Sequence, residues 1–161
     1  MFRVLLATDG SAYALKAAEF TGKLCQQIPG SQITVIHVID TTLLAATMAP
    51  PTGVGVPATI ILPREVERMS ERALEAARDL LTAQGHKVST RVENGNPAEI
   101  VCRIAEKEGF DLIAMGHRGM GRLAGILLGS VTDKVVHRSR VPVLIVRSDE
   151  KKEEAEKGKE A

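Results

Sequence analysis

Two stretches of this chain carry residues whose types and spacing could do chemistry. One is Thr8-Asp9-Gly10-Ser11, close behind an apolar run; the other is GHRGMGRLAGILLGS, Gly116 to Ser130, with five glycines in fifteen residues. Glycine adopts positive φ and lets a ligand approach the main chain closely. Several glycines ahead of a helix turn successive N–H groups inward as an anion cradle, to which the helix N-terminus adds unpaired donors and partial positive charge. Phosphate suits such a cradle. His117, Arg118 and Arg122 bring cationic or donor groups beside it, and Ser130 brings a hydroxyl. Asp9 would repel a phosphate but accept from a ribose hydroxyl, as the acidic residue of dinucleotide sites does. The two stretches together describe a nucleotide site.

That reading requires elements that bring residues 9 and 116 to 130 to one place. Apolar runs at 2–8, 33–39, 86–92, 111–116 and 141–146 read as strands, and four are nearly continuous, as when both faces of a sheet are covered. The third, KVSTRV, alternates and reads as an edge strand. Between them lie four helical patterns: one capped by Ser11, one from Pro63 to Gly85, one opening Asn96-Pro97-Ala98-Glu99 as N-cap, first helical position and capping box, and one from Ser130 to about Arg138. Ser130 reads as the N-cap of the last, with Asp133 as its capping-box partner. Five alternations predict an α/β fold, a single doubly wound five-stranded parallel sheet with helices on both faces; they do not fix the strand order, for which the edge character of the third strand suggests 3-2-1-4-5. Right-handed crossovers place helices one and two on one face and three and four on the other. Ligands gather where the winding reverses, here between strands 1 and 4, at whose ends Thr8-Asp9 and Met115-Gly116 stand.

Composition narrows the class. The 161 residues suit one domain; 44% are apolar, 25% charged and 2% aromatic, with a net charge of +1. That balance argues against a nucleic-acid partner, which needs a basic footprint and aromatic platforms. Cys25 and Cys102 are too few and too far apart for a disulfide framework or a zinc cluster and read as buried thiols. The N-terminal apolar run is too short for a secretory signal, and a cytoplasmic location is expected. Residues 41–63 contain no charge, but their prolines and glycines oppose a membrane span. They read as a surface connection, a lid over the ligand or a partner contact. Residues 148–161 read as a disordered charged tail.

Related motifs fit less well. No Gly-Lys-Ser/Thr is present for a P-loop; Gly119 to Ala124 matches G-x-G-x-x-A but follows the fourth strand; a phosphoacceptor domain would pair acids where only Asp9 stands. Gly116, Gly119, Gly129 and Ser130 do match G-x2-G-x9-G-[ST] at every spacing. In this motif, and along residues 2–147 including His37-Val38-Ile39-Asp40 and LLGSVTDKVV, the chain resembles the nucleotide-binding branch of the universal stress protein family. The resemblance implies a domain over residues 1–147, ATP as ligand with Mg2+ riding on the phosphates, and a homodimer through the last strand. It implies that Asp9 holds the ribose or adenine side, that the Val38 main chain meets the base, that Gly116 approaches the ribose, and that Gly119, Gly129, Ser130 and Val131 hold phosphates. Thr8, Met115 and Arg118 complete the candidate set. His117 stands where many members have a small polar residue, and Ala7 where a proline is common. His37 reads as a core-facing or partner-contact residue, and His137 as favouring a helix dipole. With no general base beside the glycine loop and no P-loop lysine, the expectation is a regulatory ATP-binding protein with at most slow hydrolysis. The rivals are a nucleotide-independent dimeric interaction protein and a small nucleotide hydrolase.

Overall fold

The computed structural model describes residues 1–43, 64–120 and 128–148. Arg122, most of the uncharged 41–63 stretch and nearly all of the charged tail lie outside these residues. The elements run β1 (Arg3–Ala7), α1 (Ala12–Gln26), β2 (Gln32–Asp40), α2 (Arg64–Ala83), β3 (Val88–Gly95), α3 (Pro97–Lys107), β4 (Leu112–Gly116), α4 (Ser130–Arg138) and β5 (Val143–Val146). All neighbouring strands pair in parallel, in the order β3-β2-β1-β4-β5.

The apolar run of β1 is continuous because side chains alternate across a strand and here both sides are core. Val4, Leu5 and Leu6 are all fully buried. Val4 and Leu6 pack with Ala17, Ala18 and Cys25 of α1 and with Leu74, Ala77 and Leu81 of α2. Leu5 packs on the other face with Ala98, Val101 and Ile104 of α3 and Val135 of α4. The helices therefore divide two and two, as the right-handed crossovers require. Cys25 is buried as expected, whereas Cys102 is only half-buried, because it packs at the margin of this second cluster; the sheet separates the two cysteines. Burial pushes both thiols above their usual range, which makes them poor nucleophiles.

β3 is an edge strand, as its alternation predicts, although it begins two residues later than the sequence reading and runs on to Gly95. Arg91 ties it to the end of α3 by an ion pair to Glu108 and pairs along the strand with Glu93, and the two carboxylates hold the guanidinium above its ordinary range. Charge on an edge discourages pairing with another chain. The opposite edge differs: β5 is Val-Leu-Ile-Val, half-buried throughout and without charge.

Candidate functional site

The two junctions at the carboxyl ends of β1 and β4 lie side by side, because these strands pair directly at the point of reversed winding. After β1 the chain turns at Gly10, whose φ of 79° favours glycine, and a Cβ there would also press on Ala73 of α2. Ser11 then caps α1 by accepting from the Ala14 N–H at 3.2 Å. Thr8 is buried; its N–H donates to the Ile36 carbonyl at 2.9 Å and its Oγ1 accepts from the Gly10 N–H. Asp9 accepts from the Ser11 N–H through Oδ1 at 3.0 Å and from the Met120 N–H through Oδ2 at 2.9 Å. The second bond spans 111 residues and brings Asp9 against the glycine loop. Each carboxylate oxygen has a second lone pair for a ligand hydroxyl.

The glycine loop is pinned at both ends. The Gly129 N–H donates to the His117 carbonyl at 2.8 Å, and the buried Thr132 hydroxyl donates to the Gly116 carbonyl at 3.0 Å. The N-cap of α4 is Gly129, not Ser130. Ser130-x-x-Asp133 imitates a capping box one residue out of frame; Ser130 is the first helical residue, exposed, and the Gly129 carbonyl takes the Asp133 N–H. Gly129 has no side chain to offer, so no side-chain cap bond closes α4, whereas Ser11 and Asn96 close α1 and α3. The first-turn N–H groups of Ser130, Val131 and Thr132 thus stand at the loop as donors in the partial positive field of the helix end.

None of Gly116, Gly119 and Gly129 has positive φ. Their missing side chains make room. A Cβ on Gly116 would lie 2.8 Å from the carbonyl carbon and oxygen of Tyr13, so this buried glycine lets α1 seat against β4. A Cβ on Gly119 would fall on Asp9 Oδ2, and one on Gly129 would lie 3.2 Å from the Arg118 Cα. The motif glycines hold the loop closed on itself and on Asp9, which the sequence reading, centred on a ligand's approach, did not foresee.

Other candidates separate on inspection. The Met115 side chain is core, packed with the α3 and α4 face. His117, expected as a donor beside the phosphates, is buried with its ring edge-on to Tyr13 at 4.9 Å between centroids. Val38 packs its side chain against the same core, while its main chain turns toward the end of β1. In parallel pairing a residue's N–H and C=O point to one side and alternate along the strand. Gln32 donates to Phe2 and Ile36 accepts from Thr8, so Val38, of the same parity, also faces the β1 side, just past the last β1 residue. His137 lies in the last turn of α4, its Nδ1 2.8 Å from the Asp133 carbonyl. His37 reaches the Thr8 carbonyl through Nδ1 at 2.9 Å, a contact across 29 residues that no sequence spacing announces. Among the described residues, no group of three or more His, Cys, Asp or Glu is placed to hold a metal ion, and no helix is long and apolar enough to cross a membrane.

Comparison with known proteins gives this geometry a family. The model of the universal stress protein family matches residues 1–147. The universal stress protein YxiE of Bacillus subtilis is 33% identical over 148 residues, covering 90% of this chain and 98% of that one. The universal stress protein MJ0577 of Methanocaldococcus jannaschii is 32% identical over 153 residues, 90% of this chain and 94% of that one. The solved structure of MJ0577 superposes with a TM-score of 0.75 over 92% of this chain and 96% of that one, at 29% identity. A universal stress protein solved in complex with cAMP superposes with a TM-score of 0.66 at 27% identity, over 92% of this chain and 98% of that one. The chain belongs to the universal stress protein family.

Proposed function

We propose that this stress-response protein binds ATP between β1 and β4, the ribose on Asp9, the base against the Val38 main chain and the phosphates on the first turn of α4. The observation that carries the reading is the bare N-terminus of α4: a helix end whose cap residue has no side chain, held by two hydrogen bonds at the strand junction where open parallel sheets take ligands. The relative solved with cAMP supports the choice of an adenine nucleotide. Ser130 and Val131 fit a polyphosphate because their first-turn N–H groups meet no side-chain cap, and Gly129, whose own N–H is held by the His117 carbonyl, fits by leaving that space bare. Mg2+ would ride on the phosphates. Asp9 is the one carboxylate bonded to the loop among the described residues, and both its oxygens already accept main-chain N–H groups, a poor arrangement for a general base. The proposed role is therefore binding and regulation in the cytoplasm, with hydrolysis at most slow.

Isothermal titration with ATP and Mg2+, on protein stripped of copurified nucleotide, tests this. The expected affinity is micromolar to sub-millimolar and falls from ATP to AMP as phosphates leave α4. Absence of heat from stripped, folded protein overturns the reading. A homodimer through β5 is proposed separately, supported by that uncharged edge strand and by Val136, 40% exposed on the neighbouring helix. Ile145→Asp should make the particle monomeric in sedimentation, and a wild-type monomer would refute the dimer.

A further inference from the structure

The ladder between β1 and β2 stops one rung early, and a side chain stops it. Its register runs from Arg3↔Gln32 to Ala7↔Ile36, and one further bond, Thr8 N–H to the Ile36 carbonyl at 2.9 Å, continues it. The next rung in this pattern would be Val38 N–H to the Thr8 carbonyl. That carbonyl accepts from His37 Nδ1 instead, at 2.9 Å. A carbonyl oxygen only accepts, so Nδ1 carries the hydrogen. Residue 37 thus supplies from its ring the donor that residue 38 would have supplied from its main chain.

We infer that His37 is a positioning residue for base recognition: by occupying the Thr8 carbonyl it keeps the Val38 N–H out of the sheet, and because the Gly10 N–H is turned onto Thr8 Oγ1 the Val38 C=O finds no rung either, so that an adjacent donor and acceptor face the crevice. Such a pair complements adenine, whose N1 accepts next to the N6 amino group that donates. The same bond fixes the carbonyl immediately before Asp9, so one imidazole sets both the base-reading backbone and the strand end that carries the ribose acceptor. The inference rests on the nucleotide reading for its purpose, but the displacement of the rung by the ring is testable without nucleotide.

The variants are His37→Leu, which has no donor, and His37→Asn, whose side-chain amide nitrogen can stand near the place of Nδ1. Amide hydrogen exchange at Val38, read by NMR on nucleotide-free protein, should be fast in wild type and in H37N. In H37L it should slow by about tenfold or more as the Val38 N–H closes onto Thr8. Titrations should show H37L binding ATP about tenfold more weakly, the worth of one hydrogen bond, with inorganic tripolyphosphate affinity unchanged. H37N should stay within about threefold of wild type for both. A Val38 amide already protected in wild type, or unchanged in H37L, overturns the inference. So does an equal loss of ATP and tripolyphosphate binding in H37L, which would make His37 a general structural support. If wild type binds no nucleotide, the ATP reading falls while the exchange measurement still decides the role of the ring. Should H37L fail to fold, His37→Ala, which likewise has no side-chain donor, serves the same comparison against H37N.

Discussion

The junctions after β1 and β4 are built on nearly the same backbone and finished in opposite ways. Ser11 holds φ −68° and ψ 161° as N-cap of α1; Gly129 holds φ −66° and ψ 156° as N-cap of α4. Both start a helix at the same edge of the sheet, beside the same crevice. Ser11 turns its hydroxyl onto the Ala14 N–H and seals its helix, while Gly129 leaves the corresponding donors for something else. A single side chain separates a structural helix start from one suited to an anion. A serine at 129 would have capped α4 as Ser11 caps α1.

The glycines of the β4 junction do different jobs, and the largest effect should come from the one buried deepest. Gly116→Val would drive a side chain into the Tyr13 main chain, which belongs to a helix packed on both β1 and β4 and cannot yield cheaply. A loss of about 3 kcal/mol is expected in urea unfolding. A stable Gly116→Val protein that has lost only ATP binding would reassign this glycine from packing to ligand contact. Ser130→Glu isolates the other role. Residue 130 is exposed in the first turn, where a carboxylate stabilises the helix by about 0.3–1 kcal/mol but repels phosphate. Melting temperature should rise while ATP affinity falls by about tenfold, the loss shrinking with added salt. A lowered melting temperature would show that the α4 end is not a free helix terminus, and an unchanged ATP affinity that it is not a phosphate site.

Part of this contrast is legible in the sequence and part is not, for definite reasons. The outer place of β3 is legible in its alternation against the unbroken runs of β1, β2 and β4, because periodicity reports how many faces are covered, whereas the equally outer β5 has an unbroken run and gives no such sign. Asn96 and Ser11 are readable as caps because the acceptor and its target N–H lie three residues apart. The α4 cap misleads because Ser130-x-x-Asp133 satisfies the same local pattern one position late. Only the fold, by drawing Gly129 N–H onto the His117 carbonyl, decides where the helix begins. Asp9 with Met120 and His37 with Thr8 are invisible for a different reason: each joins residues distant in the chain through a main-chain atom, which has no sequence identity. Glycine spacing locates a close approach but does not say whether ligand or backbone makes it, hence the surprise at Gly116.

The β1 junction offers the converse test. Ser11→Ala removes a buried acceptor from the Ala14 N–H and should cost about 1 kcal/mol. ATP affinity should remain within about twofold, since Asp9 keeps the Ser11 main-chain N–H whatever the side chain. Thermal denaturation with parallel titrations would read both. A large fall in affinity with little loss of stability would show the hydroxyl facing the ligand rather than the helix, and the two junctions would then be alike.

The smallest expected change in stability carries the sharpest discrimination. Gly129→Ser would give α4 the cap that α1 has, on a backbone whose dihedral angles already suit it. By analogy with Ser11 and Ala14, the new Oγ would accept from the Thr132 N–H. Serine exceeds glycine as a cap by only a few tenths of a kcal/mol. The new Cβ would press on Arg118 at 3.2 Å, which offsets some of that gain and leaves stability nearly unchanged. Nucleotide binding should respond differently, because a donor at the helix end is now spent internally and an acceptor lone pair stands where phosphate oxygens would come. ATP affinity should fall by about threefold or more, with the decrement growing from AMP to ATP. Equal affinities for wild type and Gly129→Ser, measured on proteins of matched melting temperature, would mean that the open helix end is a by-product of loop packing and that phosphates, if bound, lie elsewhere.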